Sequence, residues 1–191
     1  MLINAGALLF SERGFDAVSI RDLETAAGVK RNLLVYHFGD RESLCKACAD
    51  ALYLEMDIEF GKRLSIMKEI SGREFLTLLI RFLVYFTAKH PKANLLLSHE
   101  GILKTWRIEY VIEQHVRSGI EAIEGVVADT LGLERDAFIL WYYIMATGAT
   151  SIFMFAPHCQ SVFGVDPCEE SMVEAHAEMV VSMLLKQAKV E

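Results

Sequence analysis

Alternation of apolar and polar residues with a period of two, bounded by turn clusters, is all but missing from this 191-residue chain, which argues against a sheet protein. Proline is scarce as well: Pro91, Pro157 and Pro167 are the only three, each placed where a helix can stop or start. Four cysteines, Cys45, Cys48, Cys159 and Cys168, are too few and too clustered for a secreted disulfide framework. The first residues show no cationic region leading into an apolar run and a cleavage site, so the expected compartment is the cytoplasm. There is no phosphate-cradling glycine loop and no H-E-x-x-H pattern, and neither a metal nor a cofactor is expected. Excess positive charge is lacking too. The net charge is −7, so the molecule as a whole repels nucleic acid and acidic membranes, and any phosphate-binding surface must be a local patch. Residues 1–48 hold six Lys/Arg against six Asp/Glu, a balance of zero, so the remainder carries the whole −7.

What the chain has is apolar surface arranged at helical spacing. With 53% hydrophobic residues and 10% aromatics it can bury a substantial core. From Trp106 to Leu131, Ile112, Val116, Ile120, Ile123, Val127 and Leu131 recur at spacings of four and three opposite charged residues, which predicts one long amphipathic helix. The segment Glu169 to Lys186 repeats the pattern. Residues 137–156, "AFILWYYIMATGATSIFMFA", are uncharged and about as long as the roughly 20 residues a bilayer requires. No basic flank marks an inner end, and small and hydroxyl residues fill the middle, so a helix buried in a bundle or a subunit contact is the better reading, with no membrane partner.

The N-terminal helices are short and well punctuated. Residues 2–12 form an apolar helix ended by Gly14. Ser19 with Asp22 makes an approximate capping box for a second helix that Gly28 ends. Lys30 to Phe38 is expected as a third helix, closed by Gly39, with Asp40 as N-cap of a fourth. Two short helices joined by a glycine turn, the second cationic at its start, have the layout of a helix-turn-helix. Lys30 and Arg31 suit phosphates or guanine, and Asn32 suits adenine. Cations at a helix start also fit an ordinary solvated end, so spacing alone leaves both readings open.

The segment "ALLFSERGFDAVSIRDLETAAGVKRNLLVYHFGDRESL" resembles the DNA-binding domain of the TetR family of bacterial transcriptional regulators, through "F-S-E-R-G-F", "S-I-R-D-L", "A-A-G-V" and "Y-H-F-G-D-R-E-S-L". The resemblance implies an all-α fold: a helix-turn-helix head over residues 1–45 and a helical ligand-binding and dimerisation part over 46–191. It implies a non-enzymatic, ligand-responsive regulator, a repressor, that binds palindromic double-stranded operator DNA as a homodimer. By position, Ser19 and Arg21 cap helix two and contact phosphate. Lys30, Arg31, Asn32, Leu33, Val35, Tyr36 and His37 occupy the recognition helix, and Arg41 touches the DNA backbone. Leu33 stands where Thr is common and Val35 where Tyr is common, so two polar contacts have become apolar. Glu24 replaces a usual small residue and is expected to set a negative charge near phosphate.

Dimerisation is implied on the last two helices, through Trp141, Gly148, Phe153, Met172, Met179 and Met183, although an intramolecular core predicts the same composition. A pocket for a small hydrophobic or aromatic effector is expected among the central helices, from Phe60, Phe82, Phe86, Leu96, His99, Glu100, Trp106, Tyr110 and Tyr142, each of which taken singly also suits plain core. His99 beside Glu100 needs a partner in so apolar a neighbourhood. Cys45 and Cys48, within one helix, read as buried thiols. His158–Cys159, in the expected loop between the last two helices, lacks a third member for nucleophilic catalysis. The alternative to a regulator is a helical ligand- or protein-binding module that has lost DNA binding.

Overall fold

A computed structural model of the chain describes residues 1–67 and 70–185. Among these residues there is no strand. The helices are α1 (Leu2–Arg13), α2 (Ile20–Ala26), α3 (Leu33–Phe38), α4 (Arg41–Met67), α5 (Gly72–Lys89), α6 (Pro91–Gly101), α7 (Trp106–Val111), α8 (Arg117–Leu131), α9 (Arg135–Met154), α10 (Ala156–Phe163) and α11 (Glu170–Leu185). Lys186, expected as the end of the last helix, lies outside the described residues. Two compact units result: Met1–Glu59 with Lys92–Ser118, and Phe60–Pro91 with Gly119–Glu191.

In the first unit, Phe10, Leu23, Leu34 and Leu44 are wholly enclosed, and Ala93, Leu96 and Val111 from α6 and α7 complete the same core. The head is therefore packed by side chains from far along the sequence as well as its own. Helix α1 crosses α4 closely. A Cβ placed on Gly6 would sit 2.5 Å from Cys48 Sγ, which is itself buried and donates to the Ile3 carbonyl at 3.4 Å. Alanine at Gly6 should therefore destabilise the protein, because the clash outweighs the roughly 1 kcal/mol that alanine gains over glycine in a helix. In a Cys48→Ala background the same substitution should be neutral or stabilising. Thermal unfolding of the two single variants and the double variant checks this, and equal losses in both backgrounds would refute the close approach.

In the second unit α5, α9 and α11 pack against one another over Leu76, Ile80, Val84, Val127, Met145, Ala149 and Ala177. A capping box starts α5, with Ser71 and Glu74 exchanging bonds of 3.3 and 3.2 Å. Arg81 reaches Glu174 at 2.5 Å, tying α5 to α11, and His176 Nε2 lies 2.8 Å from the Gly148 carbonyl, tying α11 to α9. Helix α9 is long and apolar enough to cross a membrane by length and composition. Here Phe138, Trp141, Met145, Ala149 and Phe153 line its packed face, while Leu140, Tyr143 and Ile144 remain exposed.

Several expectations are corrected. The segment Trp106 to Leu131 is helical throughout, but Ile112–Val116 forms a π-helical turn in which the Arg117 N–H donates to the Ile112 carbonyl. That turn carries His115, stacked on Tyr53 at 4.9 Å, with Nε2 3.0 Å from Asp50 and Nδ1 3.1 Å from Asp57. An interhelical cluster of this kind leaves no mark in hydrophobic periodicity. The expected loop holding Pro157, His158 and Cys159 is the helix α10, because proline in a first turn lacks only an N–H that would be unpaired anyway. The third correction concerns the start of α3.

Candidate nucleic-acid interface

The capping box at α2 forms as expected: the Asp22 N–H donates to Ser19 Oγ at 3.2 Å, and the Ser19 N–H donates to Asp22 Oδ2 at 2.9 Å. The Ser19 hydroxyl, which donates to Asp22 Oδ2 at 2.5 Å, and the Ser19 N–H hold the Asp22 carboxyl below its ordinary range. Ser19 is thus engaged in capping, while Arg21 beside it is exposed. Gly28 takes φ +64° in the turn, a conformation that costs side-chain-bearing residues energy, and the Val29 N–H donates to the Glu24 carbonyl at 3.0 Å.

Helix α3 starts later than the sequence suggests. Lys30 and Arg31 lie in the preceding turn, Asn32 is the N-cap, and the helix spans Leu33–Phe38. Asn32 has φ 69° and ψ 4°, and it is the one residue other than glycine with positive φ among those described. Asparagine tolerates this left-handed conformation better than most residues. In this conformation, however, its side chain caps nothing.

The acceptor that is missing from the helix start comes from α2. Glu24 Oε1 accepts the Leu34 N–H at 3.1 Å, and Glu24 is only 6% exposed. The expectation that Glu24 sets a negative charge near phosphate is therefore corrected. Its carboxylate is enclosed between α2 and α3, where it satisfies an unpaired helix N–H and complements the positive end of α3. Nothing in the sequence spacing announces this bond across ten residues.

Leu34 is fully buried and Phe38 half-buried, so this edge of α3 faces the core. Val35, Tyr36 and His37 are exposed and Leu33 is half-buried, while Lys30, Arg31 and Asn32 are exposed just before them. The surface expected from positions 30–37 is thus presented together. Arg41 is placed differently. Its guanidinium donates to the Val18 carbonyl at 2.5 Å and lies 4.0 Å from the Phe15 ring, so it braces the connection between α1 and α2. Asp40 caps α4 through Ser43 N–H at 2.7 Å, and this bond lowers the Asp40 pKa.

The effector candidates divide between the two units. Leu96, Glu100, Trp106 and Tyr110 meet in the first, around a groove whose free volume of about 10 Å³ holds no more than a water. Glu100, 3% exposed, finds its partner in Arg107 rather than His99, which is exposed. Arg107 Nε donates to Glu100 at 2.6 Å and its Nη2 to Asp16 at 3.0 Å. The Tyr110 hydroxyl donates to Asp50 at 2.8 Å; burial and this carboxylate push its pKa up to about 12. In the second unit, Phe60, Phe82 and Phe86 form a run with centroids 5.8 and 5.5 Å apart, and Tyr142 lies 6.3 Å from Phe138.

Of the expected dimer residues, Trp141 and Phe153 are 8% and 3% exposed, so their area is spent on the chain's own core rather than offered to a partner. Met179 and Met183 are exposed, Met172 and Gly148 half-buried. The Trp141 indole N–H is buried with no hydrogen-bond acceptor among the described residues. Cys45 and Cys48 are buried as read, and burial pushes both thiols up to about 12, which keeps them protonated at neutral pH.

A helix-turn-helix head with an exposed cationic turn, on an otherwise all-helical chain, defines the class of helix-turn-helix proteins. Residues 2–48 match the family model of the bacterial regulatory proteins, tetR family. No curated protein sequence matches significantly. Solved structures share the fold over nearly the whole chain. AibR in complex with isovaleryl coenzyme A and operator DNA is 15% identical, with 95% of each chain covered and a TM-score of 0.72. FadR from Bacillus subtilis in complex with stearoyl-CoA is 16% identical, covering 95% of this chain and 96% of its own, at 0.63. A TetR-like transcriptional regulator from Rhodococcus sp. RHA1 is 19% identical, covering 96% and 91%, at 0.64.

Proposed function

We propose that this protein is a cytoplasmic bacterial transcriptional repressor that binds a palindromic operator as a homodimer and is released by a hydrophobic small molecule. The observation that carries the reading is the exposed row Lys30, Arg31, Asn32, Val35, Tyr36 and His37 on a head that matches the tetR family. Lys30 and Arg31 neutralise phosphates, which fixes the register of the head on the duplex, and the α3 side chains meet base edges in the major groove.

Two further observations support the rest. Helices α9 and α11 leave Leu140, Tyr143, Ile144, Met179 and Met183 between 59% and 74% exposed, an apolar face suited to a second copy and hence to two half-sites. The unpaired indole N–H of Trp141, within an apolar core, offers a single donor to an effector that is mostly hydrocarbon with one acceptor oxygen. The acyl chain and thioester carbonyl of an acyl-coenzyme A have this chemistry, and two proteins of the same fold are described with acyl-coenzyme A molecules bound.

Selection of bound duplexes from a random pool, at two salt concentrations, tests the proposal. A palindromic sequence should be enriched by the wild type. Binding should weaken steeply with salt, and Lys30→Ala/Arg31→Ala should lose it with a shallower salt slope. No enrichment even at low salt would instead favour a helical binding module without DNA affinity, a reading that the apolar residues Leu33 and Val35 would then support.

A further inference from the structure

The outward side of α3 is unusually apolar for a surface helix, and packing within the chain does not account for it. Tyr36 is 81% exposed and Val35 46%, with half-buried Leu33 beside them, while Leu34 supplies the helix's core contact. A helix start normally spends this region on a small hydroxyl or carboxylate cap. Here the N-cap residue Asn32 makes no side-chain bond, and Glu24 accepts the Leu34 N–H in its place.

We infer that Leu33 and Val35, with Tyr36, determine operator specificity by packing against thymine 5-methyl groups in the major groove, with Glu24 as the positioning residue that holds α3 for this contact. Thymine is the base whose major-groove edge offers an apolar group, so apolar side chains at these positions select it. The exposed Lys30 and Arg31 immediately before the patch favour a duplex as its occupant over an apolar protein surface, since they match phosphates flanking the contacted bases. Covering a methyl group removes it from water, which is worth about fourfold in affinity per methyl.

The inference rests on the DNA-binding reading above, and the experiment separates the two. The duplex recovered by selection is resynthesised with deoxyuridine in place of thymidine, one position at a time. This removes the methyl and keeps the pairing and the O4 acceptor. Binding of the full chain is then measured at equilibrium. We expect about fourfold weaker binding at one or more thymines in each half-site, and Leu33→Ala and Val35→Ala should lose that discrimination between the two bases. Because the first comparison alters only the DNA, it holds whether or not the protein variants fold. Equal affinity for thymine and uracil at every position, with binding still abolished by Lys30→Ala/Arg31→Ala, would overturn the thymine reading and leave the regulator standing. Failure to bind any duplex at low salt would overturn both.

Discussion

Replacing Arg107 by methionine is expected to cost the first unit about 3 to 5 kcal/mol of unfolding free energy. Arg107 and Glu100 have side chains only 8% and 4% exposed and meet at 2.6 Å, so losing the guanidinium strands a carboxylate where water cannot solvate it. The Thr105 hydroxyl, 3.2 Å from the same oxygen, is one neutral donor and does not replace a charge. Arg107 also lies 4.5 Å from the Phe15 ring and reaches Asp16, which connects α7 to the α1–α2 loop; its removal should weaken operator binding too. The Asp16 contact adds little to stability, because Asp16 is 70% exposed and solvent screens it. Urea denaturation of Arg107→Met and of Arg107→Met/Glu100→Gln makes the test. The double variant, with the stranded charge neutralised, should recover much of the loss. A single variant within 1 kcal/mol of wild type would show that Glu100 is not dependent on this partner.

Glu24→Ala should weaken operator binding at least tenfold and destabilise the head by about 1 to 3 kcal/mol, the cost of leaving a buried N–H without an acceptor. Asn32 does not compensate, because its left-handed backbone conformation turns its side chain away from capping. Glu24→Gln keeps a carbonyl oxygen at the same reach and should retain most of the binding, losing only the part of the bond that charge strengthens. Equilibrium binding to the selected duplex, with helical content followed by circular dichroism, distinguishes the cases. If alanine and glutamine behave alike, the hydrogen bond to Leu34 has no positioning role. If alanine binds better than wild type, Glu24 acts on DNA as an exposed negative charge after all.

Much of the local architecture was legible because the relevant contacts span three or four residues. The Ser19–Asp22 box, the Asp40 cap and the glycines that end the short helices are each set by neighbours within one turn, as is the Glu113–Arg117 pair, bonded at 3.0 Å. Helical periodicity likewise reveals which face of α8 or α11 is apolar, since it depends only on 3.6 residues per turn. The motif-bearing head was recognisable for the same reason, and the family match covers that segment and no more.

Elsewhere the outcome depended on groups far apart in the chain. The start of α3 turns on a carboxylate ten residues away. The fate of Glu100 turns on Arg107, which also reaches Asp16, 91 residues earlier, and the π turn carries His115 to two aspartates on α4. Trp141 and Phe153 went to the chain's own core while Tyr143 and Ile144 stayed outside, a choice that composition could not make for a helix apolar on nearly every side. The sequence by itself determined the helices, their caps and the cationic turn, because hydrogen bonds along a helix are local. Only the tertiary structure decided which charges are enclosed, where α3 begins and which apolar residues stay exposed, because burial is a property of what the rest of the chain brings alongside.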